Sequence, residues 1–398
     1  MSLNETPSSN RIRISFFGRR NAGKSTLMNA VANQEIALVS HTKGTTTDPV
    51  NKAMELLPLG PVVLTDTAGI DDEGELGKLR IQKTKQVLGK TDIAVLVVDV
   101  TEGITDFEKN LIEEFNKRNI AHITVYNKSE LLNSVPSSGE HEIYVSAKEK
   151  TNIELLKNSL GKLKPNIQEK RMIGDFIDRD DIVVFVTPID EAAPKGRLIL
   201  PQQQAIRDTL DKGAVSIVVQ PEQLENTIKT LGNKIKLVVT DSQAFGPVSK
   251  IVPCEIPLTS FSILVARVKG LLDSAVVGAA VLGKLEDGDT VLISEGCTHH
   301  RQCNDIGSVK LPKMIQNYTK KNINFDFTSG GTFPEDLTPY KLIVHCGGCM
   351  LSEKEMENRV LTAAEHNTPI TNYGIAIAQM NGILKRSLEI LPELIKHL

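Results

Sequence analysis

Two rhythms of apolar residues alternate along the chain. Short β-branched runs at Arg11–Phe17, Val62–Thr65, Ile93–Asp99, His122–Tyr126 and Ile143–Val145 read as strands. Between them, Ser25–Val31, Leu79–Leu88 and Phe107–Lys117 carry the three-to-four spacing of helices. The strands are apolar almost throughout rather than at every second position. That pattern belongs to a parallel sheet covered by helices on both faces. The segment Leu163–Asp175, rich in Lys, Pro, Asn and Gln, reads as a linker.

A second α/β set follows, with strands Ile182–Thr187, Val215–Val219 and Lys236–Thr240 and helices Gln202–Lys212 and Glu222–Leu231. It shows little catalytic chemistry and fits an interaction or dimerisation module; a small structural domain is the plainer alternative. Val252–Pro257 is a proline-bounded extended connection. A third set begins near residue 260, with strands Thr290–Ser294, Asn324–Phe327, Leu342–His345 and Thr371–Ala376 and helix Glu353–His366. The fold class is therefore α/β in three domains. Residues 1–10 are expected to form a flexible lead, and 11–168, 175–262 and 263–398 the three domains. No internal repeat is visible.

Composition narrows the function. A length of 398 residues suits two or three cores, and a net charge of −3 gives no global pull toward nucleic acid. Tryptophan is absent and aromatics make up 4%, which disfavours a base-stacking surface. The first ten residues lack the apolar core of a signal peptide. The longest apolar stretches, such as Ile93–Val98 and Ala275–Leu282, are too short to span a bilayer. The expectation is a cytoplasmic protein without membrane or nucleic-acid partners. Disulfides are rare in that compartment, so clustered cysteines point to metal or redox chemistry.

Gly18-Arg19-Arg20-Asn21-Ala22-Gly23-Lys24-Ser25, followed by Thr26, ends a strand and opens a helix, as the P-loop motif requires. Its glycines let backbone N–H groups wrap phosphates; Lys24 reaches the β- and γ-phosphates and Ser25 binds Mg²⁺. The order of later segments resembles a GTPase. Asp66-Thr67-Ala68-Gly69 places Asp66 for Mg²⁺ and the Gly69 amide for the γ-phosphate, while Gly44-Thr45-Thr46-Thr47-Asp48 resembles the first switch. There Thr46 is the preferred Mg²⁺ ligand and Thr45 the second choice. Asn127-Lys128-Ser129-Glu130 resembles the base-recognition motif, and Ser146-Ala147-Lys148 its companion loop. Glu130 replaces the usual Asp; it keeps the carboxylate that accepts from guanine but lengthens the arm by one methylene. Ile70 stands where many GTPases place a water-orienting glutamine, so slow hydrolysis is expected. Asn21 resembles the asparagine with which a subset of bacterial GTPases binds K⁺; capping the loop backbone is its structural alternative.

Cys297-Thr298-His299 and His345-Cys346-Gly347-Gly348-Cys349 offer three thiolates and two imidazoles. Ligands following parallel strands would converge in one crevice. Zinc fits three Cys and one His, and an iron–sulfur cluster on three Cys leaves one iron with a non-Cys or exchangeable ligand. Spacing alone allows both. Cys303 is a weak extra candidate, His300 a solvated neighbour, and Cys254 a residue packed in a connection.

A translation-factor-class GTPase domain joined to this carboxyl-terminal cysteine pattern resembles the FeFe-hydrogenase maturation GTPases over nearly the whole chain. The resemblance implies a 4Fe-4S cluster held by Cys297, Cys346 and Cys349, with an exchangeable fourth site for which His299 and His345 are candidates. It also implies a scaffold and carrier that holds the transient di-iron subcluster precursor and delivers it to apo-hydrogenase. Its partners would be two radical-SAM maturases and a second copy of the chain, with a tetramer as the further option. GTP/GDP, Mg²⁺ and K⁺ complete the implied cofactors. The competing reading is an RNA- or ribosome-associated GTPase with a structural zinc.

Overall fold

Most of the near-continuous apolar runs become buried strands, whereas Val215–Val219 and Asn324–Thr328 stay partly exposed. A computed structural model describes residues 11–33, 50–67, 84, 86–139, 141–163, 170–189, 198–296 and 305–398, in two units, Met1–Gln168 and Glu169–Leu398. In the first unit, β1 (Ile12–Phe17), β2 (Val50–Leu56), β3 (Gly60–Asp66), β4 (Ile93–Asp99), β5 (Ala121–Asn127) and β6 (Glu142–Tyr144) form one sheet. Its order is β2-β3-β1-β4-β5-β6. Every residue of β4 is buried. Val95 and Val97 face one core with Ile14, Phe16 and helices Lys24–Ala32 and Ile153–Lys162. Ala94, Leu96 and Val98 face the other with Phe17, Leu111 and Phe115 of helix Asp106–Lys117. Both faces are covered, as the unbroken apolar pattern demands.

The sheet is not wholly parallel. β2 runs antiparallel to β3 on the edge. Its residues, Val-Asn-Lys-Ala-Met-Glu-Leu, mix charge with apolar positions, which suits an edge strand and hides it in the sequence.

The second unit contains two four-stranded parallel sheets. The first is built from β7 (Ile182–Val186), β8 (Val215–Val219), β9 (Ile235–Thr240) and β10 (Leu258–Ser260), in the order β10-β9-β7-β8. The second is built from β11 (Thr290–Ser294), β12 (Asn324–Thr328), β13 (Leu342–His345) and β14 (Ile370–Asn372), in the order β12-β11-β13-β14. In both, the second strand lies on one side of the first and the third and fourth on the other. The two sheets thus share one topology, a repeat of architecture that the sequence does not display. The order reverses between first and third strands, where open α/β sheets place their ligands.

Helix Phe261–Val268 joins the two cores: Phe261, Leu264 and Val265 pack with Val183 and Phe185. Ile263 and Ala266 pack with Leu292 and Ile343. An apolar surface on both sides of one helix marks it as an internal element. Helices Leu272–Ala279 and Leu311–Thr319 complete the cover of the second sheet.

One expected strand is corrected. Thr371–Ala376 divides into the end of β14 and the start of helix Tyr373–Met380. Asn372 sits at the boundary, its side chain accepting the Ile375 N–H at 2.8 Å. A short apolar run does not distinguish strand from buried helix, and the capping asparagine decides it.

Candidate functional sites

The phosphate loop follows β1 directly. Gly18 has φ 143°, and a Cβ there would lie 2.2 Å from the Val97 carbonyl oxygen. Gly23 has φ 89°, and a Cβ there would lie 2.2 Å from Asn127 Nδ2. Both positions need glycine on conformation and on space. Lys24 Nζ donates to the carbonyls of Gly18 at 2.9 Å and Arg19 at 2.8 Å, which holds the ammonium over the loop. Ser25 Oγ donates to Asp66 Oδ2 at 2.5 Å. Asp66 is buried, and its Oδ1 has no hydrogen-bond partner. Burial raises the Asp66 pKa, against the Ser25 hydrogen bond and the Lys24 charge that lower it. A buried carboxylate oxygen without a protein partner, beside a hydroxyl, is an oxygen donor set that fits Mg²⁺.

At the base end, Asn127 ties two loops together. Its Nδ2 donates to the Ala22 carbonyl at 2.9 Å, and its Oδ1 accepts the Ala147 N–H at 3.0 Å. Lys128, in the left-handed region, pairs with Asp99 at 2.5 Å. Glu130 Oε2 is buried without a partner, an acceptor aimed at nothing in the protein and suited to the N–H donors of guanine. Ser146 Oγ accepts the Glu149 N–H at 3.0 Å, Ala147 is buried, and Lys148 is exposed. Asn21 is exposed with φ 62°, and Thr26 is half-buried in the first helical turn. Thr45, Thr46 and Gly69 lie outside the described residues.

Sequence reasoning overlooked Arg19. Its Nε donates to Glu108 Oε1 at 2.9 Å, and its guanidinium also pairs with Glu102 at 3.0 Å. Glu108 accepts the Thr105 N–H at 2.9 Å as the far half of a capping box. The Thr105-x-x-Glu108 spacing before an apolar run carries that signal in the sequence. The box fastens the phosphate loop to helix Asp106–Lys117.

The cysteine site grows from the ends of β11 and β13, which are neighbours with Ser294 opposite His345. The Cys346 N–H donates to the Ser294 carbonyl at 2.8 Å. The N–H of Gly296, two residues after β11, donates to Cys346 Sγ at 3.0 Å, and that of Gly348 does so at 3.4 Å. Gly348 has φ 65°, and a Cβ there would lie 2.2 Å from Met356 Cε. Burial raises the thiol pKa of both Cys346 and Cys349. The two glycine amides oppose the shift at Cys346, and the Lys269 charge opposes it at Cys349. Lys269 is buried, and its Nζ donates to the Leu351 carbonyl at 2.6 Å.

Free thiols under backbone amides, with a buried cation beside them, form a donor set that fits a thiolate-bound cluster. Among the described residues, no group of three or more His, Cys, Asp or Glu is arranged to hold a metal ion. Cys297, His299, His300 and Cys303 lie outside those residues. Cys254 is exposed, not packed as expected.

His345 packs inside the protein beside the thiolate turn. It is fully buried; Nδ1 lies 2.7 Å from the Cys346 carbonyl and Nε2 lies 2.9 Å from Arg359 Nη1. Burial, helped by the Arg359 charge, pushes its pKa down to about 3. Both ring nitrogens have protein partners in this geometry. Glu295 and Tyr373 add a further buried pair, with Tyr373 Oη donating to Glu295 Oε1 at 3.2 Å.

Comparison with known proteins divides the chain in three. Residues 13–128 match a family model described as a 50S ribosome-binding GTPase. Residues 172–270 match the hydrogen maturase F dimerization domain, and residues 273–390 match the hydrogen maturase F tetramerization domain. GTPase Der of Kosmotoga olearia is 34% identical over 143 residues, covering 33% of this chain and 32% of that protein. The tRNA modification GTPase MnmE of Aquifex aeolicus is 32% identical over 163 residues, covering 40% and 36%. GTPase Der of Nitratiruptor sp. is 26% identical over 251 residues, covering 55% and 54%. The chain spans about a third to a half of the length of these relatives. No helix among the described residues is long and apolar enough to cross a membrane.

Proposed function

The chain belongs to the hydrogen maturase F family, and on that premise we propose that it is a GTP-hydrolysing iron–sulfur scaffold for maturation of FeFe-hydrogenase. Residues 11–168 form the nucleotide switch, 175–262 the dimerisation domain and 263–398 the cluster-binding domain, in a cytoplasmic protein. The two radical-SAM maturases and apo-hydrogenase are its proposed partners, and the di-iron precursor is its cargo.

In the switch, loop amides and Lys24 hold the phosphates, Ser25 and Asp66 hold Mg²⁺, and Asn127 and Glu130 select guanine. Thr46 is assigned to Mg²⁺ and the Gly69 amide to the γ-phosphate. With Ile70 after Gly69, no glutamine orients water there, and turnover is slow.

Asn21 is assigned to a K⁺ ion that supplies transition-state charge. Exchanging K⁺ for Na⁺ is expected to lower GTP turnover at least about tenfold, a modest part of the roughly 10³–10⁵ that an arginine finger supplies. Phosphate release in matched salts checks this; equal rates remove the K⁺ assignment.

At the second site, a 4Fe-4S cluster bound through Cys297, Cys346 and Cys349 supplies an iron open to exchangeable ligands. The chain's own residues provide the amide-lined thiolate turn, the buried Lys269 charge and a buried histidine whose two nitrogens have protein partners. One observation carries this reading: the Gly296 N–H, beside Cys297 in the chain, donates to Cys346 Sγ across adjacent parallel strands. That contact sets Gly296, the residue that precedes Cys297 in the chain, against the Cys346 thiol. Anaerobic purification with iron and zinc analysis and EPR of the reduced protein tests it. About four irons per chain with a cluster signal support the scaffold. A colourless zinc protein sinks it and favours the RNA- or ribosome-associated GTPase, whose support is the similarity to Der and MnmE.

A further inference from the structure

The largest fully buried side chain of the described residues is that of Arg359, and nothing in the nucleotide or thiolate chemistry above uses it. It lies on helix Glu353–Glu365, and its guanidinium gathers four elements. Nη1 donates to Ser294 Oγ at 3.4 Å and to His345 Nε2 at 2.9 Å. Nη2 donates to the Gly330 carbonyl at 2.8 Å and to Glu355 Oε1 at 3.3 Å. The guanidinium carbon stands 5.1 Å from the centre of the Phe333 ring.

A guanidinium only donates hydrogen bonds. His345 Nε2 must therefore be the bare, accepting nitrogen, and the ring proton sits on Nδ1. That proton points at the Cys346 carbonyl, 2.7 Å away. The Cys346 N–H meanwhile donates to the Ser294 carbonyl at 2.8 Å. Both ends of the Cys346 peptide frame are thus anchored, one through His345 and one through Ser294, and Arg359 touches both anchors.

We propose that Arg359 is the positioning residue of the thiolate site. It acts through His345, fixing the Nδ1–H tautomer that steadies the Cys346 turn and occupying the lone pair with which the ring would otherwise bind metal. Its buried positive charge also offsets the thiolates, as Lys269 does at Cys349. The proposal deepens the scaffold reading and rests on it for the cluster, but the Arg359–His345 pair exists without any metal.

Two measurements separate these layers. In the metal-free full chain with ¹⁵N-labelled histidine, assigned through His345→Asn, the His345 shifts should report a bare Nε2 and a protonated Nδ1. A protonated Nε2 overturns the proposal whatever the protein binds. In the iron-loaded chain, Arg359→Met should release iron to a chelator about 10–100-fold faster, the usual cost of losing a partner behind a metal ligand. Its melting profile controls for folding, and Arg359→Lys, which keeps charge and one donor, should recover much of the retention. His345→Asn retains an amide donor near the Nδ1 position and should leave the EPR of the reduced cluster unchanged. Wild-type iron retention in Arg359→Met, or loss of a strong ¹⁴N coupling in His345→Asn, overturns the proposal. Zinc in place of iron in the wild type sinks the scaffold reading instead, and the tautomer measurement still decides the pair.

Discussion

Cys346→Ser should leave the protein without its cluster while GTP turnover stays within about twofold of wild type. Serine preserves shape, but its hydroxyl does not ionise near neutral pH and its oxygen is a hard donor where iron–sulfur chemistry needs a soft one. Cys346 is also the thiol with the most support around it. Two amides point at Sγ, and its own N–H is fixed to the Ser294 carbonyl. Losing it removes one of the three proposed ligands together with the two N–H···S contacts that orient it. Iron per chain after anaerobic reconstitution should fall at least about tenfold, at the weak end of what metal-site substitutions cost. GTP turnover is spared because the nucleotide residues belong to the other unit, Met1–Gln168, with its own cores. Iron analysis and phosphate release on the same preparation check both halves. A folded variant that keeps its iron, or loses its GTPase, contradicts the separation.

Lys24→Ala should give the reciprocal result, turnover reduced about 10²–10⁴-fold with the iron retained. The ammonium makes two hydrogen bonds to the loop carbonyls of Gly18 and Arg19, which hold it over the loop proposed to take the phosphates. Charge-assisted contacts of this kind are worth about 1.5–3 kcal/mol each. Two of them on the β- and γ-phosphates amount to about 3–6 kcal/mol, which gives that range of rates. Alanine also removes a charge that lowers the Asp66 pKa, so a buried carboxyl already raised by burial is pushed further toward its protonated form. The sign is unfavourable for Mg²⁺, and the defect should therefore be largest at low pH. Single-turnover hydrolysis across pH measures it. Undiminished hydrolysis, or iron loss equal to that of Cys346→Ser, would remove Lys24 from its assigned role.

Where chemistry constrains neighbouring residues, the sequence was easy to read. The phosphate loop, Asn127 to Glu130, Ser146 to Lys148 and the Cys-x-x-Cys turn each fit within a few positions. Strands with apolar residues on both faces were equally plain, since β4 and β7 bury every side chain or nearly so. What escaped depends on partners far away in the chain. Arg359 sits among Glu353, Lys354, Glu355 and Glu357 and reads as one more solvated charge, yet beyond Glu355 it reaches Ser294, Gly330 and His345. Lys269 likewise reads as a helix-end cation until Leu351 appears opposite it. For His345, too, spacing places an imidazole beside a thiol but says nothing of what occupies its nitrogens. The edge strand β2 was hidden by its charges, and helix Tyr373–Met380 by its lack of them.

Helix Phe261–Val268 has a consequence for how the second unit comes apart. Its Phe261, Leu264 and Val265 complete one core, and its Ile263 and Ala266 complete the next. Each large apolar side chain so placed contributes about 1.5–3 kcal/mol to whichever core it fills. Neither sheet can shed the helix without opening a void in its neighbour, so the two behave as one cooperative block. Residues 170–398 should melt in a single transition, with calorimetric and van't Hoff enthalpies in agreement. A cut on either side of the helix should yield fragments that expose apolar surface and aggregate. The practical boundary for dissecting this chain is thus the one between its two units, not the one between its two sheets.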